Sequence, residues 1–326
     1  MDNRILESSG SCLGQQMPHT PRRARRIFTA THHGWPMIVV FLCALCVLCG
    51  ECFAQSAAQG RVECDAAASA ILRHPVRYCV ILPPGYDTQK IRRYPVLYFL
   101  HGLGSDEQAL VNSGAWEIEE RLRDTGKIGD MLIVTPDGGR SFFINSQDGK
   151  VNYEDFFLHE FIPAIEHRYR AAGTPAGRGI TGVSMGGYAA LRLAFKYPSL
   201  FTAVSAQMPA LFDKLPPMLT GTPVHGHRVT GVSAFGAIPN EAFWQQNSPL
   251  TLARANAAHL HHLRIYFDCG DQDDYGFDSG ARKLDRLLTE KAVPHEFHIY
   301  PGGHDWSYVA AHFAEVLQFE WKGLSN

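Results

Sequence analysis

The chain has 326 residues, 45% of them hydrophobic and 19% charged, which is enough apolar material for a large core and excludes a disordered or collagen-like polymer. A formal charge of −2 leaves no global basic field, so no nucleic-acid partner is expected. A single apolar run, residues 35–49, is of any interest to a bilayer, and it falls short of the roughly 20 residues a spanning helix needs.

That run follows Arg22, Arg23, Arg25 and Arg26 and precedes Cys52-Phe53-Ala54, a small-x-small site. A positive region, a short uncharged apolar region and a small-residue cleavage site describe a secretory signal. Residues 1–54 are therefore expected to be a signal peptide and 55–326 an exported domain, secreted or periplasmic, with no stable membrane insertion once the leader is cut. An uncleaved N-terminal anchor is the alternative, and Met17 is an alternative start. The leader holds five of the eight cysteines and leaves Cys64, Cys79 and Cys269, too few for a disulfide framework. Either a Cys64–Cys79 bridge between the first two strands or buried free thiols fits that remainder.

Along the domain, short β-rich runs alternate with amphipathic stretches. Strands are predicted at 77–82, 95–100, 131–135, 179–183, 201–205, 263–268 and 295–300. Helices are predicted at 115–123, 153–169, 185–196, 279–290 and 306–321. This rhythm implies an α/β fold, a mostly parallel central sheet with helices on both faces. Residues 209–247, rich in Gly, Pro and aromatics, break the rhythm and are expected to form an insertion over the carboxyl edge, where open α/β sheets bind ligands.

The sharpest motif is Gly182-Val183-Ser184-Met185-Gly186, where an apolar strand gives way to a helical run. A serine on such a turn is lifted above the sheet, and the flanking glycines avoid collision with neighbouring backbone. A serine hydroxyl is nearly inert at neutral pH, so it needs a base, and the base needs an acid to hold its tautomer. His304 follows the last strand through Pro301-Gly302-Gly303 and stands free to reach the sheet edge. After 263–268 the turn offers Asp271, Asp273 and Asp274; Gly270 lets the chain turn so that Asp273, three places on, points back, with Asp271 and Asp274 as the alternatives. Asp268, inside the strand, is a poor candidate. The His101-Gly102-Leu103 turn leaves an early strand and supplies Leu103 as one oxyanion donor, with Met185 as the other. The pairs His225/His227 and His261/His262 have no Cys or Glu partners at ligand spacing, so no metal and no cofactor are expected.

Together, Leu100-His101-Gly102, residues 153–157, Gly182 to Gly187, Asp268 to Asp273 and Gly302-Gly303-His304-Asp305-Trp306 resemble the esterase D family of α/β-hydrolases, in the same order. That family includes feruloyl and acetyl xylan esterases, S-formylglutathione hydrolases, enterochelin-type esterases and mycobacterial mycolyltransferase antigens. The resemblance runs from about Arg61 to the C-terminus. It implies the α/β-hydrolase fold, Ser184 as nucleophile, Asp273 as acid, His304 as base, and oxyanion donors at Leu103 and Met185. The mycolyltransferases tend to carry Glu as the acid, so an Asp here tilts the reading toward a hydrolase.

The function so read is a secreted serine carboxylesterase acting on small-molecule or carbohydrate esters with short-chain, aryl (hydroxycinnamoyl-type) or sugar groups. The alternatives are an acyltransferase passing the acyl group to a sugar or alcohol and, from another class, a non-catalytic binding module. His101, Gly102, Phe143, Trp244 and Trp306 are expected to contact substrate, with Phe142, Phe235 and Phe243 contributing to an apolar slot.

Overall fold

The computed structural model describes residues 60–212, 214, 234–236, 238 and 240–325. The leader expected at 1–54, most of the insertion expected at 209–247, and the pair His225 and His227 lie outside the described residues.

Among the described residues, eight strands form one sheet: β1 (Arg61–Ala67), β2 (Val76–Leu82), β3 (Val96–Leu100), β4 (Leu132–Pro136), β5 (Arg178–Val183), β6 (Ala203–Gln207), β7 (Arg264–Gly270) and β8 (Glu296–Tyr300). Their spatial order is β1-β2-β4-β3-β5-β6-β7-β8. The pairs β1–β2 and β2–β4 are antiparallel and the rest are parallel. Every residue of β3, β4 and β6 is buried, the signature of strands covered on both faces.

The helices that position the site are α1 (Ala115–Asp124), α2 (Ile162–Arg168), α3 (Met185–Lys196), α4 (Glu241–Asn247), α5 (Pro249–Asn256), α6 (Phe277–Glu290) and α7 (Trp306–Leu324). A Cβ at Gly179 of β5 would strike Glu320 of α7, whereas one at Gly182 would strike Gly186 of α3. Residues an odd number apart on a strand point to opposite faces, so α7 and α3 cover the two sides of the sheet.

Two departures from the sequence expectation have local causes. The sixth strand starts at Ala203 rather than 201, because a 3-10 turn at Pro198–Leu200 delays entry and Phe201 is buried just before the strand. The helix expected at 153–169 is composite: a turn at Tyr153–Phe156, a π-helical turn at Phe157–Phe161, then α2, which ends at Arg168. Neither β1 nor α5 belongs to the predicted spans. β1 is an edge strand whose short alternation of Arg61, Glu63 and Asp65 with Val62, Cys64 and Ala66 is only weakly apolar and buries no residue, and α5 starts on Pro249, a residue pre-shaped for the first helical turn.

Cys64 and Cys79 face each other in the β1–β2 register and are joined as a disulfide, while Cys269 is a buried thiol. Of the two states left open by the sequence, the bridge is the one present. No helix among the described residues is long and apolar enough to cross a membrane.

Candidate active site

Strand β5 runs straight into α3, and Ser184 is the single residue between them. Its backbone is held at φ 56° and ψ −114°, a region costly for a residue with a side chain. The surroundings over-determine that strain. The Ser184 amide donates to the Gln207 carbonyl (3.0 Å), and its carbonyl accepts from Tyr188 (2.9 Å) and Ala210 (3.1 Å). The turn needs glycine on both sides, because a Cβ on Gly186 would sit 1.9 Å from the Leu100 oxygen and one on Gly182 would sit 2.4 Å from the Gly186 backbone.

His304 reaches Ser184 from the loop after β8. Its Nε2 lies 2.9 Å from Ser184 Oγ and its Nδ1 2.7 Å from Asp273 Oδ2. The edges of Tyr275 and Phe277 pack against the imidazole, with ring centres 4.8 and 5.2 Å away. Asp273 stands three residues beyond Gly270. Its other oxygen accepts the amides of Tyr275 (2.9 Å) and Phe277 (3.2 Å). Burial alone would favour the protonated acid, but His304 and those two amides outweigh it and hold the carboxyl below its ordinary range. The alternatives point elsewhere: Asp271 is exposed and accepts from the Gly302 amide (3.1 Å), and Asp274 is exposed.

Leu103 and Met185 line the cleft beside Ser184. Met185 opens α3, whose N-terminal dipole favours negative charge there. Leu103 sits in a tight turn closed by Ser105 donating to Gly102 (3.1 Å), with Gly104 at φ 88°, and a Cβ on Gly102 would lie 3.7 Å from Ser184 Cβ. The loop thus lies directly against the serine.

The cleft holds about 270 Å³. Of the residues expected to contact substrate, Gly102, Trp244 and Trp306 line it, Trp244 fully buried and Trp306 partly open to solvent. His101 and Phe143 do not, and their expected place in the site is corrected. His101 Nε2 accepts from the Gly138 amide (2.8 Å), which puts the proton on Nδ1, the donor to the Gly102 carbonyl (2.8 Å). The ring is therefore a buried strut behind the loop. Phe143 is buried edge-on against His101 and Tyr153. Its neighbour Phe142 takes the wall position instead. Phe235 packs behind that wall, edge-on to Phe142 and tilted against Trp244, and Phe243 packs on Phe235.

Sequence reasoning missed Phe212, Tyr275 and Phe277 as wall residues. The last two alternate immediately after the acid, which was a readable signal; Phe212 lies in the irregular stretch and gave none. No group of three or more metal-ligating side chains occurs among the described residues.

The strained serine, the loops after β7 and β8 that converge on it, and the sheet order define an α/β-hydrolase fold. The chain belongs to the Esterase family, whose model matches residues 69–319. It is similar to an esterase of Mycobacterium tuberculosis strain H37Rv, 30% identical over an alignment of 250 residues, gaps included, which covers 69% of this chain and 51% of that protein. The chain thus spans about half the length of the curated relatives it matches. A solved ferulic acid esterase superposes with a TM-score of 0.70 at 27% identity, covering 81% of this chain and 99% of the other. An S-formylglutathione hydrolase from Staphylococcus aureus superposes with a TM-score of 0.67 over 80% and 99% of the two chains, at 19% identity, a likeness of fold alone. The esterase kinship and the fold expected from the motifs are both borne out.

Proposed function

We propose that this chain is a serine carboxylesterase acting through an acyl-enzyme on Ser184. The observation that carries the reading is the unbroken hydrogen-bonded line Ser184–His304–Asp273 at the mouth of an aromatic-walled cleft. His304 Nε2 takes the proton from Ser184 Oγ as that oxygen bonds to the ester carbonyl carbon. The carbonyl oxygen becomes an oxyanion facing the Leu103 and Met185 amides. When the intermediate collapses, the carbon–oxygen bond to the alcohol breaks and His304 returns its proton to the leaving oxygen. Water then repeats the sequence on the acyl-enzyme, releasing the acid and restoring Ser184. Asp273 stays ionised throughout and holds the imidazole in the required tautomer. No cofactor takes part in this scheme.

Ser184→Ala tests it. The variant should fold, fail to react with a fluorophosphonate and lose ester turnover by at least about 10³-fold. Turnover near the wild-type rate would overturn the assignment.

On substrate, the reading is short-chain, hydroxycinnamoyl-type or sugar esters of small molecules or carbohydrates. A cleft of about 270 Å³ walled by Phe142, Trp244, Phe277 and Trp306 supports a small acyl or aryl group. Soluble short-chain and aryl esters should be cleaved faster than long-chain triglycerides. Activity that appears only above the solubility limit of a long-chain ester contradicts this. The reading also includes export, with a secreted or periplasmic mature chain, and the Cys64–Cys79 bridge supports it because such bonds persist in oxidising compartments.

A further inference from the structure

Asp268 and Tyr308 take no part in the chemistry described so far, yet both are completely buried polar residues that meet each other. Tyr308 donates from its hydroxyl to Asp268 Oδ1 at 2.9 Å, and the pair links the interior of β7 to the first turn of α7. His304 lies four residues before Tyr308, on the short loop that joins β8 to α7.

That loop is gripped from two sides. On one side it is stitched to the end of β7: Asp271 donates its amide to the Tyr300 carbonyl (2.9 Å), Gln272 donates to the Gly302 carbonyl (2.9 Å), and the Gly302 amide donates to Asp271 Oδ1 (3.1 Å). The approach is so close that a Cβ on Gly270 would fall 2.2 Å from the Gly302 oxygen. On the other side stands the Tyr308 ring, 2.8 Å from where a Cβ on Gly302 would be. Gly302 itself is at φ 146°, open only to glycine in practice. The Tyr308 amide also donates to Asp305 Oδ1 (3.0 Å), which caps α7 one residue after His304. The side chain and the amide of Tyr308 therefore fix the loop's far end, and Asp268 fixes Tyr308.

We propose that Asp268 and Tyr308 are positioning residues for His304, a brace that holds the loop of the general base at the distance from Ser184 and Asp273 the reaction needs. The inference rests on the Ser184 mechanism proposed above. A hydroxyl-to-carboxylate bond in a dry interior has one tight geometry, and a misplacement of the base by about 1 Å can cost on the order of 10²-fold in rate. The brace acts on orientation, so it bears on kcat rather than on substrate affinity.

The test measures kcat and KM per fluorophosphonate-titrated active site in Tyr308→Phe, Asp268→Ala, Asp268→Asn and the Tyr308→Phe/Asp268→Ala double variant. Tyr308→Phe and Asp268→Ala are expected to lower kcat about 10- to 100-fold with KM changed less than about threefold. The double variant should be no worse than the poorer single one, as for two groups acting as a unit. Asp268→Asn, which keeps an oxygen able to accept from Tyr308, should recover most of the loss seen in Asp268→Ala. The low-field proton resonance of His304 Nδ1–H, bonded to Asp273 in the wild type, should broaden or shift in Tyr308→Phe and not in Asp268→Asn. Loss of thermal stability or of titratable sites, with wild-type kcat per site and an unchanged His304 resonance, overturns the proposal and leaves the pair purely structural. Full additivity of the two single effects, or an Asp268→Asn as poor as Asp268→Ala, overturns it as well. The parallel Ser184→Ala measurement separates these outcomes from failure of the mechanism itself: an active Ser184→Ala refutes the nucleophile whatever the brace does.

Discussion

Asp273 is the residue at which the site's electrostatics can be tested most directly, because a carboxylate accepting from His304 and two amides has no slack for another role. Asp273→Asn presents an amide in place of one acceptor oxygen and favours the wrong imidazole tautomer. The expected loss in kcat is about 10³ to 10⁴-fold, whereas Asp271→Asn, on an exposed side chain, should cost less than about tenfold. The reverse order in steady-state assays would show that the acid had been assigned one turn out of place. Ser184, His304 and Asp273 were legible in the sequence because glycines punctuate each of their turns. The wall of the cleft was less so. Phe142 and Phe143 are adjacent, both at φ 54°, and only the turn geometry decides which one faces the cleft. His101 looked functional for its place beside Gly102, yet hydrogen bonds made by a distant loop at Gly138 turn its ring inward.

At the scale of elements, α3 is tied to its neighbours by buried polar contacts. Arg192, on the buried face of that helix, pairs with Glu154 and donates from Nε to Asn247 Oδ1 (2.8 Å), while Lys196 reaches the same Glu154 (2.6 Å). Burial would raise the Glu154 carboxyl, but Arg192, Lys196 and Tyr197 prevail and hold it below its ordinary range. The helix that follows the serine is thus fastened to the composite helix before it and to α4 after it. Helix α3 was read with its observed bounds, because the Gly-rich turn and an apolar run bracket it; β1 was given no span, although Cys64 was expected on a strand, since its alternation of Arg61, Glu63 and Asp65 with Val62, Cys64 and Ala66 is short, weakly apolar and leaves no residue buried. What secures β1 beyond hydrogen bonds is the Cys64–Cys79 bridge, across a separation of 15 residues. Replacing both cysteines by serine should lower the unfolding free energy by about 2–4 kcal/mol in chemical denaturation, with ester turnover per folded molecule changed little, since the bridge lies at the opposite edge of the sheet from β7 and β8. Equal stability of oxidised and reduced wild-type protein would contradict this.

The whole molecule carries a pH dependence separable from that of its chemistry. Glu320, inside α7 under β5 and β6, is pushed up to about 8 by burial, against the opposing pull of Ser205 and Arg264. Asp268 is pushed up to about 7, again chiefly by burial. Each group binds a proton more tightly in the folded chain than in the unfolded one. Their contribution is therefore complete below the ordinary carboxylate range and drains away as pH rises through about 7 and about 8. Carboxyls held low, such as Asp273, act with the opposite sign and only in acid. Urea midpoints should fall between about pH 5 and pH 8, and Glu320→Gln, unable to ionise, should flatten that slope; an identical slope in the variant would remove Glu320 as a source. The closed ring between Cys64 and Cys79 has a further consequence wherever the chain meets a protease. Arg73, exposed and within that ring, is a natural point of cleavage, while Ser69, Ala70 and Ile71 just before it are all bonded to Glu160. A cut after Arg73 opens the backbone without releasing anything. The nicked molecule should run as one band on a non-reducing gel, shed its N-terminal piece only when a thiol is added, and go on working until then.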